Sequence, residues 1–220
     1  MMTEIAYDGA IHNIFANHAK EYDSWYLKHP TIYESEVRLL KEFDLKGLGL
    51  EIGVGTGVFA SRIGTLIGID PAFTMLSIAK ERGIEAIQAI GERLPFADKI
   101  FDYVLMISTL CFLDKPSLVI KESLRVLRKH GNLIICLILK DSSWGKYYEK
   151  KKNIGHKFYN HAKFYDSREL KKLIINQGVS IVEVISTLRY PPSEKERFEE
   201  PLRGYKGSFM CLRLKKLRYI

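Results

Sequence analysis

Through roughly residues 3–43 the apolar positions recur every three or four residues. Ile11, Ile14, Phe15 and Ala19 fall on one such face and Val37, Leu40 and Phe43 on another, with a break near Pro30. That spacing predicts helices, and the break falls where proline withdraws a backbone donor. Beyond residue 45 the rhythm changes to short apolar runs at 48–52, 66–69, 84–90, 103–107 and 133–139, each about the length of a strand. Helix-compatible segments separate most of them. One runs from about Ala72 to Gly83, a suitable C-terminal glycine. Another follows Asp114-Lys115-Pro116, where a capping acid and an early proline mark a start, and runs to Gly131. Strands alternating with helices predict parallel βαβ units, hence an α/β fold with a doubly wound, mostly parallel sheet.

The tail differs. Ser167 is placed to cap a helix through Gln177, Gly178 closes it, and residues 179–186 alternate as a strand. After the Pro191-Pro192 loop, residues 208–214 form a further strand with no helix between, which permits antiparallel pairing. Neither an internal repeat nor a flexible linker is visible. A single domain over residues 1–220 is expected, with a helical N-terminal lid at 1–45, a ligand-binding half at 46–140, and an insertion with a C-terminal hairpin at 141–220.

Composition narrows the class. Hydrophobic content of 46% and charged content of 27% are those of a globular protein. The longest unbroken apolar run, residues 133–139, is about a third of what spans a bilayer. Glu4 and Asp8 stand where a secretory signal needs a basic start and an apolar stretch. Cys111, Cys136 and Cys211 are odd in number and widely spaced, which argues against a disulfide framework, CxxC zinc pairs or a cysteine-held cluster. A reducing cytoplasm is the expectation, with no membrane partner and no metal. The net charge of +8 favours an acidic partner, whether nucleic acid, an anionic metabolite or a membrane surface; plain solubility explains it equally simply. Abundant Lys and Glu with only two Gln hint at a thermophilic source.

The chemistry concentrates in Leu50-Glu51-Ile52-Gly53-Val54-Gly55-Thr56-Gly57, which leaves a strand and enters a helix. Glycines there allow a tight turn and close approach of a ligand to backbone. The spacing is G-x-G-x-G with Val58 next, whereas a dinucleotide fingerprint requires G-x-G-x-x-G. Asp70 ends the second strand, where a carboxylate can accept both hydroxyls of a ribose or simply cap the following helix. An adenosine ligand fits the first reading.

Glu51-x-Gly53-x-Gly55-x-Gly57, Asp70, Leu94-Pro95-Phe96, Phe101-Asp102-Tyr103-Val104 and the stretch ESLRVLRKHG at 122–131 occur in that order. Together they resemble the class I S-adenosylmethionine-dependent methyltransferases, most of all the small-molecule branch that includes ubiquinone and menaquinone biosynthesis methyltransferases. The resemblance spans about residues 15–214. It implies a Rossmann-like sheet of seven strands with an antiparallel last strand, and S-adenosyl-L-methionine as cofactor. It implies that Gly53, Gly55 and Gly57 underlie the methionine moiety, with Glu51 near its amino group. Asp70 matches the ribose-binding acid, and Pro71 and Met75 match positions beside the adenine. Gly91, Glu92 and Arg93 match the turn that brackets the adenine amino group. Ile107 and Ser108, with Thr109, match positions bordering the methionine and the sulfonium, and Tyr22-Asp23 resembles a lid motif whose tyrosine closes over the cofactor carboxylate. The chain departs from relatives at Ile90, where an acid is frequent, at Ala72, where serine is frequent, and in the short stretch from Gly57 to Asp70, which implies a truncated first helix.

Methyl transfer from a sulfonium is a direct in-line displacement, so the protein mainly supplies proximity and a dry pocket. A general base is required only where the acceptor must lose a proton. Candidate acceptor-side residues are Tyr22, Trp25, Tyr26 and His29 in the lid and Trp144, Tyr147, Tyr148, His156, Tyr159 and His161 in the insertion. Of these, Tyr26, His29, Trp144 and Tyr147 are the expected substrate contacts. His161, just before Phe164-Tyr165, is the candidate base. Aromatic walls suit a planar acceptor or an amine, although such rings also serve simply to pack a lid onto a sheet. The basic runs at 150–152 and 213–216 could meet phosphate or face solvent.

The expected partner is a small-molecule methyl acceptor. A nucleic-acid (RNA) methyltransferase is the first alternative, but Ile107-Ser108-Thr109-Leu110 lacks the Asp/Asn-Pro-Pro-aromatic signature of base-amine methylation, and Cys111 lacks the preceding proline of a cytosine nucleophile. A nicotinamide oxidoreductase and a non-catalytic cofactor-binding protein are the others. No P-loop, G-x-S-x-G elbow or metal-ligand spacing supports another enzyme class. Acceptor identity and oligomeric state are left open by the residues.

Overall fold

The computed structural model describes residues 10–217. Three helices come first, α1 (Ala10–Asn17), α2 (Ala19–Lys28) and α3 (Pro30–Lys41). The part of the expected first helix before Ala10 lies outside the described residues. There follow β1 (Gly49–Ile52), α4 (Ala60–Ile63), β2 (Ile67–Asp70), α5 (Phe73–Glu81), β3 (Glu85–Gln88), β4 (Phe101–Ile107), α6 (Pro116–Val126), β5 (Leu127–Ile138), α7 (Ser143–Asn153), α8 (Ser167–Ile175), β6 (Val179–Thr187), β7 (Leu202–Arg203) and β8 (Phe209–Lys216).

The strands form one sheet in the order β3-β2-β1-β4-β5-β8-β6-β7. Pairs from β3 through β5 are parallel, and β8 enters antiparallel between β5 and β6. The seven expected strands are present, and the two-residue edge strand β7 makes an eighth by pairing antiparallel with β6. Strand order reverses between β1 and β4, so their carboxyl ends splay apart. An open α/β sheet binds its ligand at that switch point.

Period-two alternation sorts the side chains to two cores. Val104 and Met106 of β4 with Leu133 and Ile135 of β5 face α6 and α8, against Val119, Ile120, Leu170 and Ile174. Tyr103, Leu105, Ile107, Ile134 and Cys136 face the other way, against Ile32, Leu39 and Leu40 of α3. Each buried aliphatic side chain of that kind contributes about 1.5–3 kcal/mol, so α3 belongs to the core. The covering part of the N-terminal segment is α1 and α2. These are tied down by Arg82 at the end of α5, which donates to both carboxylate oxygens of Asp23 at 2.8 Å and to the Thr56 carbonyl at 2.7 Å. Burial raises the Asp23 carboxyl, but hydrogen bonds from Arg82 and Thr56 together with the Arg82 charge hold the group below its ordinary value. Arg82→Ala is expected to lower stability by about 1–3 kcal/mol, the range for hydrogen bonds to a charged group trimmed for partial exposure. Because the folded-state pKa is depressed, this contribution is present at neutral pH and lost on acidification through the carboxylate range. Urea unfolding at pH 7 reads it, and an unchanged midpoint would mean that apolar packing alone holds α2.

Several local expectations are corrected. The α6 helix stops at Val126 and not at Gly131, because Lys99 and Ile100 donate to the carbonyls of Arg125 and Val126 and draw the chain into β5 at Leu127. Asp114 does not cap α6; Lys115 occupies that position without a side-chain bond. The cap of α8 is Asp166, not Ser167: its carboxylate accepts from Arg168 and Glu169 nitrogens while Glu169 reaches back to the Asp166 nitrogen, a complete capping box. The helix after the glycine loop is a single turn, as its short span implied.

The expectation for the cysteines is overturned. Cys136 and Cys211 are register partners across β5 and β8 and form a disulfide, leaving Cys111 as the free thiol. A separation of 75 residues conceals a pair that only strand register brings together, and the argument from cysteine usage for a reducing compartment goes with it. Among the described residues no helix is long and apolar enough to cross a membrane, and no group of side chains could hold a metal ion.

Candidate active site

The carboxyl ends of β1, β2 and β4 surround a cleft of about 840 Å³. Its floor is the turn after β1, where the Gly53 and Val54 nitrogens donate to the Ile69 carbonyl at 2.8 and 2.9 Å. Gly53 and Gly55 both have positive φ, +71° and +54°, but their surroundings differ. A Cβ on Gly53 would lie 2.4 Å from the Thr109 methyl, so that glycine permits β1 and β4 to meet. A Cβ on Gly55 would meet only Met75 and Tyr22, both at 3.9 Å, and points into the cleft.

Asp70 spans the loop. One oxygen accepts from the Gly55 nitrogen at 3.0 Å and the other from the Ala72 nitrogen at 2.9 Å. Burial raises its pKa to about 6 against the lowering effect of those two bonds. Glu51 is 2% exposed, and its Oε2 has no hydrogen-bond partner among the described residues. Burial, reinforced by Asp70, raises its carboxyl well above the usual range. An orphaned buried carboxylate next to a backbone cradle fits a ligand that carries a cationic amino group, since an unpaired buried acid is costly by itself.

Of the expected cofactor residues, Tyr22, Gly53, Gly55, Asp70, Pro71, Met75, Gly91, Glu92, Ile107 and Ser108 line this cleft. Glu51 lies beneath the loop. Gly57 does not face the cleft: a Cβ there would press Ile84 and Ala79 at 3.0 and 3.2 Å, so it makes room for α5. Arg93 is likewise off the lining. Sequence reasoning missed Phe15, Phe112 and His12, which complete the walls. In the sequence Phe15 shows only as part of a helical face.

A second cavity opens between α2, α3 and the segment 141–165. It holds all four expected acceptor-side residues, Tyr26, His29, Trp144 and Tyr147, together with Trp25, Tyr148, His156 and Tyr159. Tyr22 and Tyr26 share a 2.8 Å hydrogen bond between hydroxyls, Trp144 donates to the Tyr190 carbonyl at 2.8 Å, and His29 bonds Glu196. His161, the candidate base, sits exposed in the Tyr159–His161 turn and lines neither of these two cavities.

Phe15, Tyr22, Ser108 and Phe112 line both cavities, so the two spaces meet there. Ser108 has φ +53°, an uncommon conformation for a residue with a side chain. Its nitrogen is held by the Cys136 carbonyl at 2.8 Å. Strain of this kind concentrates where a site demands it.

Glu36 also lines the second cavity and was not singled out in the sequence. It is 6% exposed, and burial alone pushes its carboxyl up to about 8. The available signal was position: Ile32, Glu36, Leu39 and Leu40 share one face of α3, where an acid is out of place among apolar residues.

Several known proteins are similar to this chain. The family described as "Methyltransferase domain" matches residues 50–135, from β1 into β5. An uncharacterised protein of Methanocaldococcus jannaschii is 39% identical over 206 residues, covering 93% of this chain and 100% of that protein. A SAM-dependent methyltransferase of Thermotoga maritima, described as a possible histamine N-methyltransferase, has a crystal structure that aligns with TM-score 0.88 and 38% identity over 93% of this chain and 99% of that one. A ubiquinone/menaquinone biosynthesis C-methyltransferase of Pseudomonas putida is 26% identical over 204 residues, 83% of this chain and 75% of that protein. Sheet order, glycine turn and these likenesses converge, and the chain belongs to the class I S-adenosylmethionine-dependent methyltransferases.

Proposed function

We propose that this enzyme methylates a small organic molecule, with S-adenosylmethionine in the cleft at β1, β2 and β4 and the acceptor in the aromatic cavity behind it. The observation that carries this reading is the shared wall of Phe15, Tyr22, Ser108 and Phe112, where donor and acceptor would come within reach. When bound, the cofactor supplies an electrophilic methyl group on sulfur. The chain's part is to bind, align and exclude water. In this assignment Glu51 answers the amino group of the methionine moiety and Gly55 gives it room. Asp70 receives ribose hydroxyls, while Pro71, Met75, Gly91 and Glu92 border the adenine. Gly57 and Arg93 support the loops from outside, and Ile107 and Ser108 border the reacting end. Residues 1–45 and 141–220 then build the acceptor side around the cofactor-binding segment 46–140.

Small size of the acceptor agrees with how the basic runs are used. Lys152 donates to the Ala162 carbonyl, Lys151 lies 4.9 Å over the Tyr147 ring, Arg213 pairs with Glu183, and Lys216 donates to the Leu127 carbonyl. Those cations are engaged internally and are poorly arranged to track a phosphate backbone. The Cys111 thiol, which burial pushes up to about 12, stays protonated and is no nucleophile for a pyrimidine ring.

Parallel calorimetric titrations with S-adenosylmethionine, S-adenosylhomocysteine and NAD test the reading. Micromolar binding of the first two without NAD is expected, and NAD binding alone would overturn it. Asp70→Ala should weaken the homocysteine analogue by about 1.5–3 kcal/mol, roughly 10- to 150-fold. With its pKa near 6, Asp70 loses its charge and part of its acceptor capacity on protonation, so wild-type affinity should fall as pH drops from 7 to 5, and more steeply than that of the Ala variant. Equal affinity of the two proteins at pH 7 would show that the ribose lies elsewhere.

A further inference from the structure

The aromatic cavity contains one acid that nothing else in the fold uses. Glu36 projects from the apolar face of α3, and among the described residues its side chain makes no ion pair and no hydrogen bond. The tyrosines nearest in electrostatic effect come from three elements, Tyr22 and Tyr26 of α2, Tyr148 of α7 and Tyr159 of the turn after it. Burial raises all four phenols, so they stay neutral and present hydroxyls and ring faces. A lone carboxylate in a cavity lined by aromatic rings answers an organic cation, through direct charge pairing and through cation–π attraction. Another ring of the same lining, Tyr147, already carries a cation, the Lys151 ammonium.

We propose that the methyl acceptor is an organic amine that enters as its ammonium ion, and that the Glu36 carboxylate binds it and takes its proton; this deepens, and rests on, the small-molecule methyltransferase reading above. The step balances simply. The ammonium N–H proton passes to a Glu36 carboxylate oxygen, which frees the nitrogen lone pair. That pair forms the new N–C bond as the C–S bond of the donor breaks and its electrons remain on sulfur. The proton then leaves Glu36 for water.

Charged groups elsewhere on the cavity leave Glu36 as the one that changes state with the ligand. Glu21 is paired with Lys157, and His29 with Glu196. Burial with Lys151 and Lys157 lowers the His156 pKa, so that ring is neutral at pH 7. Lys28 and Lys151 line the same space as cations. An empty cavity therefore keeps Glu36 largely protonated at pH 7, with its pKa near 8, and an arriving ammonium must displace that proton. Binding should release close to one proton and tighten roughly tenfold per pH unit between pH 6 and 8.

Calorimetry on the full chain, with and without S-adenosylhomocysteine, distinguishes the outcomes. The probes are 2-phenylethylamine, histamine and tetramethylammonium, with 2-phenylethanol as a neutral match to the first. Expected are at least tenfold tighter binding of 2-phenylethylamine than of the alcohol and a heat that differs between phosphate and Tris in the amount set by proton release. In Glu36→Gln at least tenfold weaker amine binding and loss of the pH dependence are expected, with S-adenosylhomocysteine affinity unchanged. Amines that bind no better than the alcohol, or equally well to wild type and Glu36→Gln, overturn the proposal. Amine binding with these signatures but no S-adenosylhomocysteine binding supports the Glu36 assignment and removes the cofactor assignment instead. Glu36→Gln replaces a carboxyl that is mostly neutral at pH 7 with an amide of nearly the same shape, and an unchanged melting temperature confirms that the variant is folded.

Discussion

Gly55→Val is expected to fold and to bind no S-adenosylmethionine. The Cβ itself meets nothing closer than 3.9 Å, so no packing is broken. A β-branched residue at φ +54° adds strain on the order of 1–2 kcal/mol, which a domain of ordinary stability survives. The two γ-methyls have only the cleft to enter, and that is the space assigned to the methionine moiety. Affinity should fall by more than about 100-fold, equivalent to roughly 2.7 kcal/mol, with near-wild-type circular dichroism. Gly53→Ala is the informative contrast: its Cβ would sit 2.4 Å from Thr109, so the folded state suffers before any ligand is added. If Gly55→Val binds normally, the turn is only a turn and the cofactor lies elsewhere.

Breaking the Cys136–Cys211 link should have the largest effect on stability. The disulfide closes a loop of 75 residues, and restricting an unfolded chain on that scale stabilises the folded state by about 4 kcal/mol. Cys136→Ser/Cys211→Ser should shift the denaturant midpoint down by the corresponding amount while β5 and β8 stay paired through their backbone. A reductant should do the same to the wild type and nothing to the double variant. Equal midpoints with and without reductant would show that the two sulfurs are unlinked in solution.

The legible parts of the sequence were those decided by local pattern. Apolar runs marked the central strands β1 and β4 and the second half of β5, because strands buried on both faces need a continuous hydrophobic stretch. The glycine turn and Asp70 were visible because a tight turn beside a ligand tolerates few residues. What escaped depends on partners far along the chain. The start of β5 at Leu127 is set by Lys99 and Ile100, and Leu202–Arg203 becomes a strand only because β6 lies beside it. Cys136 meets Cys211 through ladder register, which spacing does not encode. Glu36 resembled any solvent-facing helical acid until its neighbours on the same face were counted. The exposed setting of His161 was hidden for the complementary reason, since nearness to Phe164 in sequence says little about which way a short turn presents a side chain.

The position of β8 governs how the molecule can be made. This strand lies between β5 and β6, and β7 joins only through β6. On a ribosome adding about 5–20 residues per second, the stretch between the end of β5 and the end of β8 takes roughly 4–16 s to emerge. Throughout that interval the outer edge of β5, with Ile134, Ile135 and Leu137, has no strand beside it, and an open apolar edge invites other chains. A nascent chain interrupted before Phe209 would lose the sheet pairing of β6 and β7 as well, although both are already synthesised. The β5 edge is therefore covered only once Phe209–Lys216 has been made.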